Sequence, residues 1–204
     1  MKVVFIGAGN LATQLSVSMQ RAGYDIMQVY SRTEESASVL AGRLGCSYVT
    51  SLKSVIANAD IYVVALKDSA LVELLPQITD GKSEKALFVH TAGSIPMTIW
   101  EGYAGHYGVF YPMQTFSKVR DVDFRTIPVF IEAKQIADLE LLKKIGDTLS
   151  ETVLEADSEQ RRYLHLSAVF VCNFANHMFT VGERLLQEHH LPFNVMYPLL
   201  KETK

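Results

Sequence analysis

One feature leaves few folds open to this chain. Four consecutive apolar β-formers, Val3-Val4-Phe5-Ile6, run directly into Gly7-Ala8-Gly9-Asn10-Leu11-Ala12 and then into helical spacing. A strand apolar at every position suits a parallel sheet buried on both faces. At such a strand-to-helix turn the first glycine permits the tight bend, the second lets a ligand approach the backbone, and a small residue at Ala12 keeps helix and strand close. The N-terminus of the following helix presents unpaired N–H groups and the positive end of its dipole, which favours phosphate. The pattern predicts a dinucleotide-binding turn, with Gly7, Gly9, Asn10 and Leu11 as contacts.

The remaining sequence alternates in the same manner. Strands are expected over 2–7, 25–30, 47–50, 61–66 and 87–90, and helices over 10–22, 34–44 and 69–78, with a polar helix-like stretch ending near Asn58. Gly23 and Gly45 read as helix stops. Beyond a turn at Thr91–Ser94, further strands are expected over 107–113 and 127–132, a helix over 135–149 and an edge strand over 152–155. From Asp157 the chain has no proline until Pro192 and only Gly182 as a glycine, which predicts a helix of about thirty residues opened by an Asp157/Gln160 capping pair. Leu164, Ala168, Val171, Ala175, Met178, Gly182 and Leu185 alternate four and three apart, the seam of closely packed helices. Val169, Phe170, Phe174 and Phe179 make the other faces apolar too, so this helix needs helical partners. The expected fold is α/β. A Rossmann-type, doubly wound, mainly parallel sheet over 1–156 is followed by the start of an all-helical domain over 157–204, which dimerises and continues in a longer natural chain.

The end of the second strand bears on the nucleotide. A site selective for a free ribose 2′-hydroxyl usually places a carboxylate there, whereas this chain has Tyr30-Ser31-Arg32-Thr33. A guanidinium attracts a 2′-phosphate and stacks on adenine, and the Ser31 and Thr33 hydroxyls can donate to phosphate oxygens. NADP is the cofactor this predicts. The competing reading is a solvated Arg32 with Thr33 capping the next helix. Ala65, Leu66 and Lys67 end the fourth strand, where the backbone meets pyrophosphate and ribose, and Asp68 or Ser69 reads as a helix cap. Thr91 and Gly93 follow the fifth strand, on the nicotinamide side. His90 beside them reads equally as a site residue or as a satisfied histidine in a turn.

Composition narrows the partners. A net charge of -3 over 204 residues provides no basic field for nucleic acid. The apolar start is broken too early by Asn10, Thr13 and Gln14 to be a signal core or a membrane span. Cys46 and Cys172 lie far apart and read as small core hydrophobes in a reducing, cytoplasmic setting. No histidine joins a carboxylate or cysteine at ligand spacing, so no metal site is expected.

The motifs taken together resemble the superfamily of deazaflavin (coenzyme F-420)-dependent NADP reductases and pyrroline-5-carboxylate reductases, in a branch described only as NADP oxidoreductases. The resemblance rests on Gly7–Ala12, Ser31-Arg32-Thr33, Ala65–Ser69, His90–Gly93, Tyr111-Pro112-Met113-Gln114-Thr115-Phe116, and Leu164–Ala168 continuing to Asn173. It implies a dimerising helical second domain, with a small-molecule substrate bound between domains. Two departures stand out: Tyr111 replaces a histidine common in that branch, and Val169 occupies the position of the catalytic lysine of related hydroxyacid dehydrogenases.

Reduction of a ketone requires a proton for the developing alkoxide, so the missing lysine disfavours simple 2-hydroxy-acid chemistry. The remaining candidates are His165 and Tyr111 as acids and Asn173 as a donor to substrate; on a straight helix His165 and Asn173 lie about 12 Å and about 80° apart. Gln114 and Thr115 are either nicotinamide contacts or a turn before Phe116. Three functions follow: an NADP(H)-dependent oxidoreductase acting on an imine, deazaflavin or carbonyl, a non-catalytic NADP(H)-binding regulator, or an assembly role for the helical segment.

Overall fold

The computed structural model describes residues 1–120 and 122–202. Its centre is one eight-stranded sheet in the order β3-β2-β1-β4-β5-β6-β7-β8. The strands are β1 (Lys2–Ile6), β2 (Asp25–Tyr30), β3 (Ser47–Val49), β4 (Ile61–Val64), β5 (Leu87–His90), β6 (His106–Pro112), β7 (Val129–Ala133) and β8 (Val153–Glu155). The first six pair in parallel. β7 runs antiparallel to β6, and β8 lies parallel to β7 at the sheet edge. This is the Rossmann arrangement, in which strand order reverses between β1 and β4 and the carboxyl ends of those strands open a crevice.

Helices cover both faces because alternate side chains of each strand point to opposite sides. Val3, Phe5, Ile61, Val63, Val89 and Phe110 pack under α1 (Asn10–Arg21), α2 (Glu34–Leu44) and α4 (Ile136–Leu149). Val4, Ile6, Tyr62, Val64, Phe88 and Tyr107 pack under α3 (Asp68–Thr79) and beside Trp100. Val3 through Ile6 are completely inaccessible, and burying such a side chain contributes about 1.5–3 kcal/mol. Gly45 ends α2 in the left-handed region at φ 65, as its position predicts.

Two expectations need correction here. The polar stretch ending near Asn58 forms only a single 3-10 turn, Leu52–Ser54. It is too short and too polar to propagate a helix, and the Gln28 side chain instead accepts the Ile56 N–H at 2.9 Å. The cysteines also differ from the reading as core hydrophobes: Cys46 is half-buried and Cys172 is exposed.

The chain divides into two compact units, residues 1–162 and the residues from Tyr163 onward. Asp157 and Gln160 form the predicted reciprocal cap: Asp157 N donates to Gln160 Oε1 at 3.0 Å, and Gln160 N donates to Asp157 Oδ1 at 2.8 Å. Helix α5 (Ser158–Ala168) then opens a 31-residue helical stretch reaching Glu188. Residues Val169–Phe174 of this stretch are π-helical, and α6 (Ala175–Glu188) completes it. The widened π turn removes the straight-helix geometry expected between His165 and Asn173. After a short turn, α7 spans Tyr197–Glu202.

No described residue of the second unit is buried. Phe170, Val171, Phe174, Met178 and Leu185 are all at least half exposed, although Phe170 and Phe174 stack on each other with ring centroids 5.2 Å apart. The helical partners required by the apolar pattern are therefore not supplied by the described residues of this unit. By length, and by a mean hydropathy of 1.2 over an 18-residue window within it, the stretch Ser158–Glu188 is also long and apolar enough to cross a membrane.

Candidate functional site

The turn after β1 is built by mutual backbone support at the carboxyl edge. Gly7 N donates to Tyr30 O and Ala65 N donates to Ile6 O, both at 2.8 Å, so the ends of β2, β1 and β4 hold one another. Gly7 sits at φ +123, and a Cβ there would lie 2.3 Å from the Ala65 carbonyl oxygen. Only glycine fits.

Gly9 differs in kind: its φ of -79 suits any residue, and no atom lies within 4 Å of the position a Cβ would take. The space over Gly9 is open, and the N-terminus of α1 has no side-chain cap. An uncapped helix start with exposed Gly9 and Asn10 fits a phosphate accepting the free N–H groups. Leu11 is half-buried behind them, packed against the core.

At the end of β2, Ser31 is half-buried while Arg32 and Thr33 are exposed. Thr33 takes the N-cap position of α2 without any side-chain cap hydrogen bond, which removes the capping explanation for its hydroxyl. Arg32 makes no ion pair among the described residues.

At the end of β4, Ala65 and Leu66 are half-buried and Lys67 is exposed. Neither Asp68 nor Ser69 caps α3 as expected, since the N-cap is Lys67 and no side chain caps the helix. The Asp68 carboxylate instead accepts a short hydrogen bond from Ser94 Oγ, tying the loop after β5 to the start of α3. That loop is also anchored by Thr91 N donating to Val64 O at 3.3 Å, and Thr91 and Gly93 are both buried.

His90 is fully buried, and its Nδ1 accepts the Ala92 N–H at 3.2 Å, which shapes the turn from within. It is not a fully satisfied histidine, because Nε2 has no hydrogen-bond partner. Burial, reinforced by the Arg161 guanidinium and opposed only weakly by the Pro96 backbone, which lies near the ring but outside hydrogen-bond geometry, pushes its pKa down to about 3. A neutral imidazole inside the sheet edge is no proton donor for a reaction near neutral pH.

The three candidate reaction residues fall in different units. Tyr111 lies in the first, buried at the carboxyl end of β6; burial raises the pKa of its phenol while Arg161 pulls it the other way. His165 is half-buried in α5, and Asn173 is exposed in the π-helical segment, both in the second unit. Gln114 and Thr115 are exposed after β6, where Gln114 Oε1 accepts the Thr115 N–H at 2.8 Å.

Several site-forming residues escape a reading of the sequence. Buried Gln14 on α1 donates to the carbonyls of Ser117 at 2.6 Å and Arg120 at 3.0 Å, pinning the loop after β6 beside the dinucleotide turn. His106 pairs with the Asp138 carboxylate at 3.0 Å on the opposite edge of the sheet. Arg161 is completely buried and paired with Glu132. These partners are separated by 29 to 106 residues, and local periodicity carries no signal of them.

Known proteins share both the turn and the sheet. Residues 2–93 match the profile of the family described as NADP oxidoreductase, coenzyme F420-dependent, and residues 127–204 match a domain of unknown function. The crystal structure of a "putative NADP oxidoreductase" from Bacteroides fragilis is 58% identical, with a TM-score of 0.93 over 99% of this chain and 78% of that one. The chain belongs to the NADP oxidoreductase family. A pyrroline-5-carboxylate reductase from Pseudomonas aeruginosa is 26% identical over 106 residues, or 51% of this chain and 39% of that enzyme. The chain thus matches well under half the length of that curated relative. A Thermotoga maritima protein of 19% identity and TM-score 0.77, covering 98% of this chain and 76% of that one, shares the fold. Membership of the family implies a nicotinamide dinucleotide cofactor, and the uncapped start of α1 over Gly9 fits it.

Three variants test these contacts. Gly9→Ala should fold with a melting temperature close to that of the parent and lose NADPH affinity at least about tenfold, because its Cβ enters ligand space only. Gly7→Ala should be destabilised by about 3 kcal/mol or more through its clash with Ala65. Fluorescence titration and thermal melts check both, and a Gly9→Ala variant that binds NADPH like the parent contradicts the assignment. For His90, the unfolded chain takes up a proton near pH 6.5 that the folded state refuses until about 3. Stability from this group is therefore lost as pH falls through that window, by up to about 1.4 kcal/mol per pH unit. His90→Asn, which retains an acceptor for Ala92 N–H, should melt with a flatter acid dependence; a slope equal to the parent's contradicts the burial of a neutral imidazole.

Proposed function

We propose that this chain is an NADP(H)-dependent oxidoreductase that moves hydride between the nicotinamide and a small imine, deazaflavin or carbonyl acceptor. The observation that carries this reading is the open, uncapped start of α1 over Gly9, with exposed Arg32 at the end of the neighbouring strand β2. Gly7, Gly9, Asn10 and Leu11 take the pyrophosphate side, Ser31, Arg32 and Thr33 the 2′-phosphate, Ala65, Leu66 and Lys67 the ribose side, and Thr91 and Gly93 the nicotinamide side. When bound, the nicotinamide supplies the hydride chemistry, and the protein's part is to orient it and manage the proton.

Tyr111 and His165 are the proton donors of this proposal, and Asn173 is a hydrogen-bond donor to substrate. The neutral, buried state of His90 supports looking beyond it for the acid. Val169 at the lysine position favours acceptors that need little proton transfer, an iminium or a deazaflavin, over a plain ketone. Residues 1–156 serve as the cofactor domain of this reading and 157–204 as the start of a substrate and dimer domain. The exposed apolar side chains of the second unit support pairing with another copy of the chain. Arg161, Arg162, Asn173, Asn176 and His177 along the same stretch favour such a helical interface in a cytoplasmic protein over a lipid-facing span.

Arg32→Ala should weaken NADPH about ten- to a hundredfold and leave NADH nearly unchanged, reflecting the loss of charge-assisted hydrogen bonds to phosphate. Equal losses for both nucleotides contradict the NADP assignment. Turnover is read as NADPH oxidation against a panel of imines, ketones and a deazaflavin; tight NADPH binding with no turnover on any of them points to the regulator instead. Sedimentation in detergent-free buffer should give a dimer that Phe170→Glu with Val171→Glu dissociates while NADPH binding persists. A monomeric parent, or one that needs detergent to stay in solution, overturns the dimer.

A further inference from the structure

The loop after β5 is held from two sides. Its first half is fixed by Thr91 N donating to Val64 O of β4, by the Ala92 N–H donating to His90 Nδ1, and by Ser94 Oγ donating to the Asp68 carboxylate of α3. Its second half is fixed by a charged cluster outside the dinucleotide turn. Arg161 donates to the Ile95 carbonyl at 2.7 Å and to Ser158 Oγ at 3.2 Å, and it is paired with Glu132 of β7. Ser158 Oγ donates in turn to Glu132 and accepts the Met97 N–H at 2.9 Å. Glu132, Val109 and His90 lie side by side across β7, β6 and β5, so the cluster spans the sheet beside the loop's root.

A completely buried arginine is costly. Removing two charges from water is offset only by close pairing, and replacing such a pair with apolar groups often leaves stability equal or higher. Here the guanidinium spends one of its bonds on a loop carbonyl, and its Nε has no partner. Stability alone is a poor account of that arrangement. Resting on the cofactor assignment above, we propose that Arg161, through its pair with Glu132, is a positioning residue for the nicotinamide half of the bound cofactor: it sets the Thr91–Met97 loop against which that half lies. It touches the loop and acts through it. The charge of the same guanidinium also acts on Tyr111 of β6 and His90 of β5.

The discriminating experiment compares two ligands on one protein. NADPH engages both halves of the site, whereas 2′,5′-ADP engages only the Gly9 and Arg32 half. The paired variant Arg161→Met with Glu132→Met removes both charges together and should fold. It should bind 2′,5′-ADP within about twofold of the parent and NADPH about tenfold more weakly. Arg161→Lys keeps the Glu132 pair without also reaching the Ile95 carbonyl, and should show the same selective loss at smaller size. Unchanged NADPH binding in both variants, or equal losses for the two ligands, overturns the positioning role and leaves Arg161 a packing element. A paired variant that does not fold shows the pair to be structural, unless Arg161→Lys still shows the selective loss. A parent protein that binds neither ligand refutes the cofactor assignment itself, and the proposal with it.

Discussion

The structure depends on one close approach, that of the Gly7 backbone to the carbonyl of Ala65. It occurs where β1 meets β4, the point at which the strand order reverses, and it leaves no room for a side chain. Because Gly7 yields there, the chain can turn sharply enough to start α1 over the carboxyl edge of the sheet. Ala12, fully buried, then lets α1 lie flat on β1. The uncapped N–H groups, the open space above Gly9 and the nearness of the β2 end all follow from that turn. Its cost is an uncapped, exposed helix start, a feature that a bound anion offsets.

Around this turn the edge is bonded into place at the loop after β5 and solvent-facing just beyond the ends of β2 and β4. Arg32 and Lys67 lie exposed. The loop after β5 is buried over Thr91–Gly93 and bonded from β4, α3 and the root of α5. Burial keeps the His90 ring neutral and raises the pKa of the Tyr111 phenol, the Arg161 charge opposing the second shift only in part.

The sheet was legible because parallel strands buried on both faces announce themselves residue by residue: β2, α2 and β5 fall on the predicted boundaries. Gly45 and the Asp157/Gln160 cap were equally local signals. What could not be read depends on distant partners or on cumulative geometry. Asp68 looks like a helix cap until Ser94, 26 residues on, claims its carboxylate. Arg161 looks like one more charge on a helix until Glu132 and Ile95 fold against it. The π-helical turn at Val169–Phe174 has no proline or glycine to mark it, and the exposed Cys172 lies within that turn. The glycine turn after β1 was thus visible in the sequence, while the bonds that hold the loop after β5 were not.

The central claim is that Gly9 and Arg32 mark two ends of one NADP(H) site. A crystal structure of the chain soaked with NADP+ tests it most directly. The account predicts pyrophosphate oxygens against the N–H groups at the start of α1 and the 2′-phosphate in hydrogen-bond contact with the Arg32 guanidinium. An ordered dinucleotide that leaves the Gly9 turn empty, or turns its ribose phosphate away from Arg32, would contradict it.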